Sequence, residues 1–354
     1  MKMKKVAVAM SGGIDSSVCA ALLKERGYEI IGVTMWTWPK GKSGKEVSRF
    51  YNAVDEARKV AEKLGITHYV VDLEDLFVRY VIANFCDEYR KGRTPNPCIR
   101  CNEYVKFGVL LRKARELGAN YLATGHYARI EYNKETGRYL LKRGVDLEKD
   151  QSYFLYRLRQ DQLKSILMPL GDYTKDEVRS MATELNLSLN KPESQEICFI
   201  LEDSYADFLK EYIPEAARPG PIMDRGGKIL GEHKGILFYT IGQRRGLGIS
   251  AKVPLYVIAI DRERNAVIVG TEDELYRDEL KASEVNYIAT EYLNKPARLK
   301  VKIRSRHQEA EATVYPTSKD KVHIKFLQPQ RAITPGQAAV FYDGDVVIGG
   351  GTIQ

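Results

Sequence analysis

The amino-acid sequence predicts an α/β protein with an amino-terminal parallel sheet, a small β-rich central domain and a carboxy-terminal β-barrel. In the first third, short apolar runs typical of buried strands alternate with helical patterns, several of which end at a glycine. Such alternation indicates a parallel sheet with helices on both faces. The predicted strands are 6–10, 28–36, 67–73 and 120–124, and the predicted helices are 16–26, 50–64 and 102–117.

The character of the sequence changes after about residue 210. Prolines and glycines become frequent, and short runs with a period of two replace the helical patterns. Leu299, Val301 and Ile303 alternate with lysine and arginine, as expected for a half-buried strand of an antiparallel sheet. We therefore predict three domains: a catalytic domain over 1–208, a small β-rich domain over 209–275, and a β-barrel over 276–354.

The bulk composition is that of an ordinary globular protein with an excess of basic residues. The chain has 354 residues, of which 44% are hydrophobic, so it can bury a sizeable core. Its formal net charge of +8 favours a polyanionic partner, although many proteins without one are mildly basic. No apolar run approaches the roughly 20 residues that span a bilayer, and the run after residues 1–5 is too short for an export signal. We therefore expect a cytoplasmic protein with no membrane partner.

A loop rich in glycine and serine connects the first predicted strand to the first predicted helix. Glycines let backbone amides approach a phosphate, and the following helix points its free N–H groups at the anion. The chain has no G-x-x-x-x-G-K-[ST] motif, so this is not a Walker loop. Ser-Gly-Gly-x-Asp-Ser instead resembles the pyrophosphate loop of the ATP pyrophosphatase (PP-loop) superfamily, whose members cleave ATP between the α and β phosphates. The alternative is an ordinary glycine-rich turn before a helix. The residues expected to bind ATP are Ala9, Met10, Ser11, Gly12, Gly13, Ile14, Asp15 and Ser16, with Asp15 also expected to hold Mg²⁺.

Two of the five cysteines are expected to lie in the core. An odd number of cysteines in a long chain without an export signal is no disulfide framework. Cys19 and Cys86 lie in apolar, helix-like runs, and we expect them to act as small core hydrophobes.

The other three cysteines form a candidate reactive centre. Cys98 and Cys101 make a C-x-x-C on a proline-bounded loop just before the helix predicted at 102–117, and Cys198 follows far along the chain. A thiol at a helix N-terminus has a lowered pKa, and Arg93 and Arg100 should act in the same direction. We therefore expect reactive thiols. Two alternatives stay open: half of a structural zinc site, and a [4Fe–4S] cluster held by three cysteines with one iron left open.

Several further segments extend the resemblance over nearly the whole chain. Taken together, they resemble the tRNA-specific 2-thiouridylases, which are PP-loop enzymes that thiolate the wobble uridine of tRNA. The pyrophosphate loop alone is shared by many enzymes, whereas its combination with the two cysteine segments is highly specific. The segments that carry the resemblance are 11–17, 94–107, 124–128, 150–155, 197–199, 242–248 and 334–337.

The resemblance implies a role for each matching residue. Met35, after the second strand, and Gly125, after the fourth, would contact the adenosine of ATP. Cys101 matches the catalytic nucleophile, and Cys198 matches the cysteine that carries a persulfide. The residues that would face the target base are Asn96, Pro97 and Cys98, and those at positions where the family touches tRNA are His126, Lys149, Asp150, Gln151, Arg304, Ser305 and Gln337.

Cys98 departs from the commonest family pattern, which has an aspartate at this position. With aspartate, two cysteines complete a persulfide and disulfide cycle. With Cys98, a third thiolate is available, and a [4Fe–4S] cluster on Cys98, Cys101 and Cys198 becomes a second mechanism. In either case, the C2 oxygen of the uridine is first adenylated by ATP and then replaced by sulfur from a persulfide carrier, a cysteine desulfurase or sulfide.

Two rival functions have different chemistry. A PP-loop enzyme acting on a small molecule would form its adenylate without tRNA. A non-catalytic RNA-binding protein with a decayed loop would fail to bind ATP, and the intact motif at 11–17 argues against that alternative.

Overall fold

The computed structural model describes residues 3–37, 45–187, 197–200, 205–214 and 217–354, which form three sheets and their covering helices. The strands are β1 (Lys5–Ala9), β2 (Glu29–Trp36), β3 (Thr67–Asp72), β4 (Tyr121–Ala123), β5 (Ala128–Asn133), β6 (Arg138–Arg143), β7 (Ile166–Leu167), β8 (Gly220–Asp224), β9 (Ile229–His233), β10 (Tyr256–Asp261), β11 (Ala266–Gly270), β12 (Tyr276–Tyr287), β13 (Ala297–Lys302), β14 (Ala310–Ser318), β15 (Lys321–Arg331), β16 (Ala338–Asp343) and β17 (Val346–Ile353).

The helices lie mainly in the first two thirds of the chain. The α-helices are α1 (Ile14–Glu25), α2 (Lys45–Lys63), α3 (Glu74–Phe77), α4 (Ala83–Arg90), α5 (Pro97–Arg100), α6 (Leu111–Glu116), α7 (Gln160–Leu163), α8 (Lys175–Glu184) and α9 (Tyr205–Tyr212). Two π-helical stretches, Val78–Ile82 and Cys101–Leu110, interrupt the α-helical runs.

The first sheet confirms the predicted parallel arrangement. Its strand order is β3-β2-β1-β4-β7, and every neighbouring pair is parallel. Successive side chains of a strand point to opposite faces, so Val6 and Val8 pack in one apolar cluster and Ala7 in another. Both faces are therefore covered. The strand order reverses between β1 and β4, because β2 and β3 lie on one side of β1 whereas β4 and β7 lie on the other. The crevice between the carboxyl ends of β1 and β4 is therefore the expected ligand site.

The helix predicted at 102–117 begins earlier than the sequence suggested. Asn96 caps α5, its side-chain oxygen accepting a hydrogen bond from the backbone N–H of Cys98 at 3.2 Å, and Pro97 occupies the first helical position. Proline suits that position because the N–H it lacks would have no helical partner. The helix continues through Cys101–Leu110 into α6. We call the whole run, residues 97–116, the cysteine helix. The C-x-x-C thus lies within the helix and not on the loop before it.

The later part of the chain forms the two β-rich units that the pattern predicted. Strands β10-β11-β8-β9 form a small sheet. Strands β12-β15-β14-β13-β16-β17 form a second sheet that closes into a barrel because β12 also pairs with β17. The hairpin β5–β6, which the sequence did not predict, extends this sheet from within the first 208 residues by pairing β6 with β17. The α/β fold class with its parallel sheet, central β module and barrel is confirmed.

None of the helices in the described ranges combines the length and the apolar character needed to cross a membrane.

Candidate active site

The phosphate loop lies between β1 and α1 at the crevice of the parallel sheet. Gly12 has a φ of +70°, and a Cβ built on it would lie 2.6 Å from the carbonyl oxygen of Ala53 and 2.8 Å from Cβ of Glu56. Only glycine fits this left-handed turn against α2. The absence of a side chain at Gly12 therefore allows the loop to lie close to α2.

Serine hydroxyls hold the loop around the start of α1. The backbone N–H of Ser11 donates to Oγ of Ser16 at 3.2 Å, and the hydroxyls of Ser16 and Ser17 donate to the carbonyl of Gly13 at 3.0 and 2.9 Å. Within the described ranges, no side chain caps α1 at Gly13. The first N–H groups of a twelve-residue helix therefore remain available to an anion, which is the geometry that binds phosphate.

Asp15 anchors the start of α1 to two elements from distant parts of the chain. Its Oδ1 accepts a hydrogen bond from the Tyr127 hydroxyl at 2.8 Å and from Nζ of Lys175 at 2.7 Å. Lys175 is buried, and no sequence motif pointed to it. Asp15 is the side chain that would hold the predicted Mg²⁺, and its Oδ1 already accepts hydrogen bonds from an ammonium and a phenol.

Gly125 packs directly on the same helix start. A Cβ at this position would lie 2.7 Å from the carbonyl carbon of Asp15 and 2.9 Å from its Cβ. The loop after β4 is therefore in contact with the start of α1, which follows the loop after β1, as a site at the sheet crevice requires. Met35 lies inside β2 and not after it, where it is partly buried against the core.

The structure brings the three candidate cysteines into one neighbourhood. Cys98 and Cys198 are exposed, and Cys101 is partly buried. Burial raises the pKa of the Cys101 thiol to about 12, and negative charge on Cys198 and Cys98 would raise it further. Although Cys98 is exposed as a residue, the protein around its thiol removes it partly from water and so raises its pKa. Cys19 and Cys86 lie in the core, as predicted.

The expectation of lowered thiol pKa values is wrong for this state of the protein. Arg93 binds Glu88, its Nε lying 2.6 Å from Oε2, and Arg100 lies 3.6 Å from Glu103 and 3.3 Å from Glu284. Both guanidinium charges are therefore compensated by carboxylates. Removal from water then dominates, because it disfavours the charged thiolate.

Lys106 is the cation that acts on the thiols, and the sequence reasoning missed it. Its charge opposes the rise in pKa at both Cys98 and Cys101, and it contributes to the lowered pKa of His126. It follows Cys101 by five residues in a π-helical stretch, where hydrogen bonds run from residue i to i+5. The signal in the sequence was a lone lysine in an otherwise apolar stretch of helix.

Among the described residues, the cysteines are not part of a recognisable metal-binding group. Across the ranges that the structure describes, no group of three or more Cys, His, Asp or Glu side chains is placed to hold a metal ion. Three thiols are suitable donors for a cluster, but the described side chains are not gathered into a group that would hold one.

His126 lies inside the protein. Its Nδ1 pairs with Oγ1 of Thr124 at 2.6 Å, and its ring packs 5.7 Å from that of Phe107 on the cysteine helix. Burial lowers its pKa well below the usual value, so the ring is neutral. His126 thus joins the cysteine helix to the segment after β4, and its contact with tRNA stays a prediction.

Asp150 and Gln151 also make internal hydrogen bonds. Asp150 accepts from the backbone N–H of Gly144 and of Ser152, and Gln151 exchanges hydrogen bonds with the backbone of Tyr127 at 2.9 and 3.0 Å. Both remain partly exposed, as do Lys149, Ser305 and Asn96, whereas Pro97 is buried.

Arg304 and Gln337 organise the turn at 334–337, which docks on the segment before the cysteines. Arg304 donates to the carbonyls of Ile241 and Ala332 at 3.0 Å each and also to the hydroxyl of Thr334. Nε2 of Gln337 donates to the carbonyl of Thr94 at 2.8 Å. These two residues therefore support the cysteine segment from the barrel. A polar cavity of about 360 Å³ lies beside this contact, lined by residues of α4, the cysteine helix and the barrel.

Comparison with known proteins now decides the family. The tRNA methyl transferase HUP domain matches residues 4–202, the tRNA methyl transferase PRC-barrel domain matches 206–271, and the aminomethyltransferase β-barrel domain matches 277–353. The tRNA-specific 2-thiouridylase MnmA 1 of Caldanaerobacter subterraneus subsp. tengcongensis is 54% identical over 99% of this chain and 98% of its own. The chain belongs to the tRNA-specific 2-thiouridylase family.

Other 2-thiouridylases match it over comparable lengths. The MnmA of Acetivibrio thermocellus is 52% identical over the whole of both chains, and that of Halothermothrix orenii is 51% identical over 99% of each. Among solved structures, the U34-tRNA thiolase NcsA from Methanococcus maripaludis with its [4Fe–4S] cluster overlaps 62% of this chain and 68% of its own, with 21% identity and a TM-score of 0.37. That likeness is too low to carry an argument about this chain.

Proposed function

We propose that this protein is an ATP-dependent tRNA-uridine 2-sulfurtransferase that converts the wobble uridine to 2-thiouridine, releasing AMP and pyrophosphate. Membership of the 2-thiouridylase family supports the activity. The chemistry is supported by a series of contacts that runs from the helix start at 11–16 towards the three cysteines, because Gly125 packs on Asp15 and the neighbouring His126 packs on Phe107. His126 follows β4 at the crevice, and Phe107 lies on the cysteine helix.

The first half of the reaction activates a poor electrophile. The C2 carbonyl of uridine receives electrons from both ring nitrogens, and hydroxide is a poor leaving group. Attack of the C2 oxygen on the α-phosphorus of ATP releases pyrophosphate and makes AMP the leaving group. The amides and hydroxyls of the phosphate loop would hold the triphosphate, and Lys175 and Tyr127 would keep Asp15 and α1 in place.

The second half transfers sulfur. We propose that Cys198 carries a persulfide whose terminal sulfur adds to C2, after which AMP departs with the C2 oxygen. Cys101 then attacks the inner sulfur of Cys198, so that the sulfur–sulfur bond of the persulfide breaks, a disulfide forms and sulfur stays on C2. At neutral pH the Cys101 thiol is protonated in the free protein, so this step needs a base or a change of environment once tRNA is bound.

The same reaction scheme assigns a role to each of the three domains. Residues 1–208 would carry the chemistry, and the barrel over 276–354 would bind tRNA together with the central domain over 209–275. The base must leave the anticodon stack to reach the cysteines. We derive no step through an iron–sulfur cluster, because the side chains in the described ranges are not arranged as a metal-binding group.

The decisive experiment is mass spectrometry of tRNA nucleosides after incubation with the protein, ATP, magnesium and a sulfur source. We expect 2-thiouridine only when ATP is present, with one pyrophosphate released per thiolation. ATP–pyrophosphate exchange that proceeds without tRNA, together with no 2-thiouridine, would instead support a PP-loop enzyme for a small molecule.

A further inference from the structure

Four charged side chains connect the cysteine helix to the barrel. Arg157 contacts both acidic groups, its Nε lying 2.6 Å from Oε2 of Glu103 and its Nη1 3.2 Å from Oε2 of Glu284. Arg100 likewise lies 3.6 Å from Glu103 and 3.3 Å from Glu284. Arg100 immediately precedes Cys101, and Glu103 follows it by two residues. The proposed nucleophile is thus held on both sides by one cluster of ion pairs.

The cluster is buried on the helix side and open on the barrel side. The side chains of Glu103 and Arg157 are 9% and 12% exposed, whereas that of Glu284 is 50% exposed. Although burial alone would raise it, the charges of Arg100 and Arg157 hold the pKa of Glu284 below its usual value. The carboxylate at the barrel end is therefore ionised, and replacing it does not leave a hole in the core.

Glu284 adopts a backbone conformation that glutamate seldom takes. Its φ is +52°, and the pairing of β12 with β17 shifts register between Ser283 and Asn286. A side chain in the left-handed region costs of order 1 kcal/mol and persists only where the surroundings enforce it. The carboxylate at this irregular position lies 3.3 Å from Nη2 of Arg100.

A second polar contact holds the other end of the cysteine segment. The backbone N–H of Thr94 donates to the carbonyl of Pro335 at 2.9 Å, and Gln337 donates to the carbonyl of Thr94. The cavity of about 360 Å³ lies between the two contacts, with Asn96 and Arg100 on its wall. Polar contacts at both ends therefore join residues 94–103 to the barrel, in addition to apolar packing in which Ile99 shares a core cluster with Ala338 of the barrel.

We propose that Glu284 is a positioning residue for sulfur transfer, which acts through Arg100 to hold Cys101 in place against the barrel. The inference rests on the proposed function, because it supplies the reason for a fixed Cys101. It makes the placement of the nucleophile depend on the domain that we propose to bind tRNA.

Two substitutions at one position separate the carboxylate from the backbone. Glu284→Gln keeps the size of the side chain, and Glu284→Gly keeps the left-handed backbone without strain. We expect both to lower kcat for 2-thiouridine formation about tenfold, since displacements below 1 Å at a reacting group have effects of this size. The KM for ATP and the melting temperature should stay close to wild type. Glu279→Gln is the matched control, because Glu279 lies on the same strand, is exposed and pairs with His323.

A double variant tests whether the effect passes through Arg100. Arg100→Gln should lower kcat as Glu284→Gln does, and the double variant should lower it no further. Wild-type turnover in Glu284→Gln would overturn the proposal. So would a loss of turnover matched by an equal loss of ATP binding or of thermal stability, because the contact would then serve the fold alone. If the wild-type protein makes no 2-thiouridine, the proposed function itself has failed.

Discussion

The contact between Gly125 and Asp15 allows the placement of the phosphate loop to be tested by adding one methyl group. In Gly125→Ala the new Cβ would lie 2.7 Å from the carbonyl carbon of Asp15, whereas ordinary contacts begin at 3.4 Å. The gap must therefore open by 0.7 Å (3.4 − 2.7), and the opposing atoms are backbone, which cannot rotate away. Overpacking of this kind costs about 1–3 kcal/mol.

We expect the protein to relieve part of this overpacking by displacing the phosphate loop, which would weaken ATP binding. A loss of about 1.4 kcal/mol in ATP binding corresponds to a tenfold higher Kd. We expect isothermal titration with a non-hydrolysable ATP analogue to show at least this weakening. Gly226→Ala is the control, because a Cβ on Gly226 would meet only a side-chain oxygen of Asp224, at 3.3 Å. Wild-type affinity in Gly125→Ala would refute the idea that this close approach positions the loop.

Three further substitutions test the remaining parts of the site. Lys175→Met should weaken binding of the same analogue severalfold and cost about 1–2 kcal/mol in stability by calorimetry, because Asp15 loses its buried cation; unchanged binding would contradict the anchoring role. Lys106→Gln should raise the pKa of the Cys101 thiol still further, so alkylation of Cys101 at a fixed alkaline pH should slow severalfold. Lys106→Arg should restore the alkylation rate. An unchanged rate in Lys106→Gln would exclude the electrostatic role of Lys106. Arg304→Gln should lower the melting temperature and the thiolation rate together, because hydrogen bonds to three acceptors, worth about 2–4 kcal/mol, are lost. If neither quantity changes, the 334–337 turn does not need Arg304.

The sequence predicts well those features that depend on consecutive residues. The phosphate loop is a local pattern of strand, glycine turn and helix, and the structure has these elements in that order. The alternation of apolar residues at 299–303 likewise identified the region of β13. The earlier start of the cysteine helix was also encoded locally, by Asn96 and Pro97, but a proline marks both helix starts and loop boundaries.

The features that escaped prediction depend on contacts between distant residues. Lys175 reaches Asp15 across 160 positions, and no periodicity or motif announces such a pair. The thiol pKa values depend on burial and on whether the neighbouring arginines form ion pairs with Glu88 and Glu284. Neither burial nor such ion pairs can be judged from one segment of sequence. The hairpin β5–β6 joins a sheet whose other strands begin more than a hundred residues later.

The central claim is that sulfur passes between Cys198 and Cys101 after ATP has activated the uridine. The most direct test is the yield of 2-thiouridine, measured by mass spectrometry, from Cys101→Ser, Cys198→Ser and the control Cys86→Ser, whose cysteine is buried in the core. We predict no 2-thiouridine from the first two variants, undiminished ATP binding in both, and product from the control. Wild-type turnover in either of the first two would contradict the account.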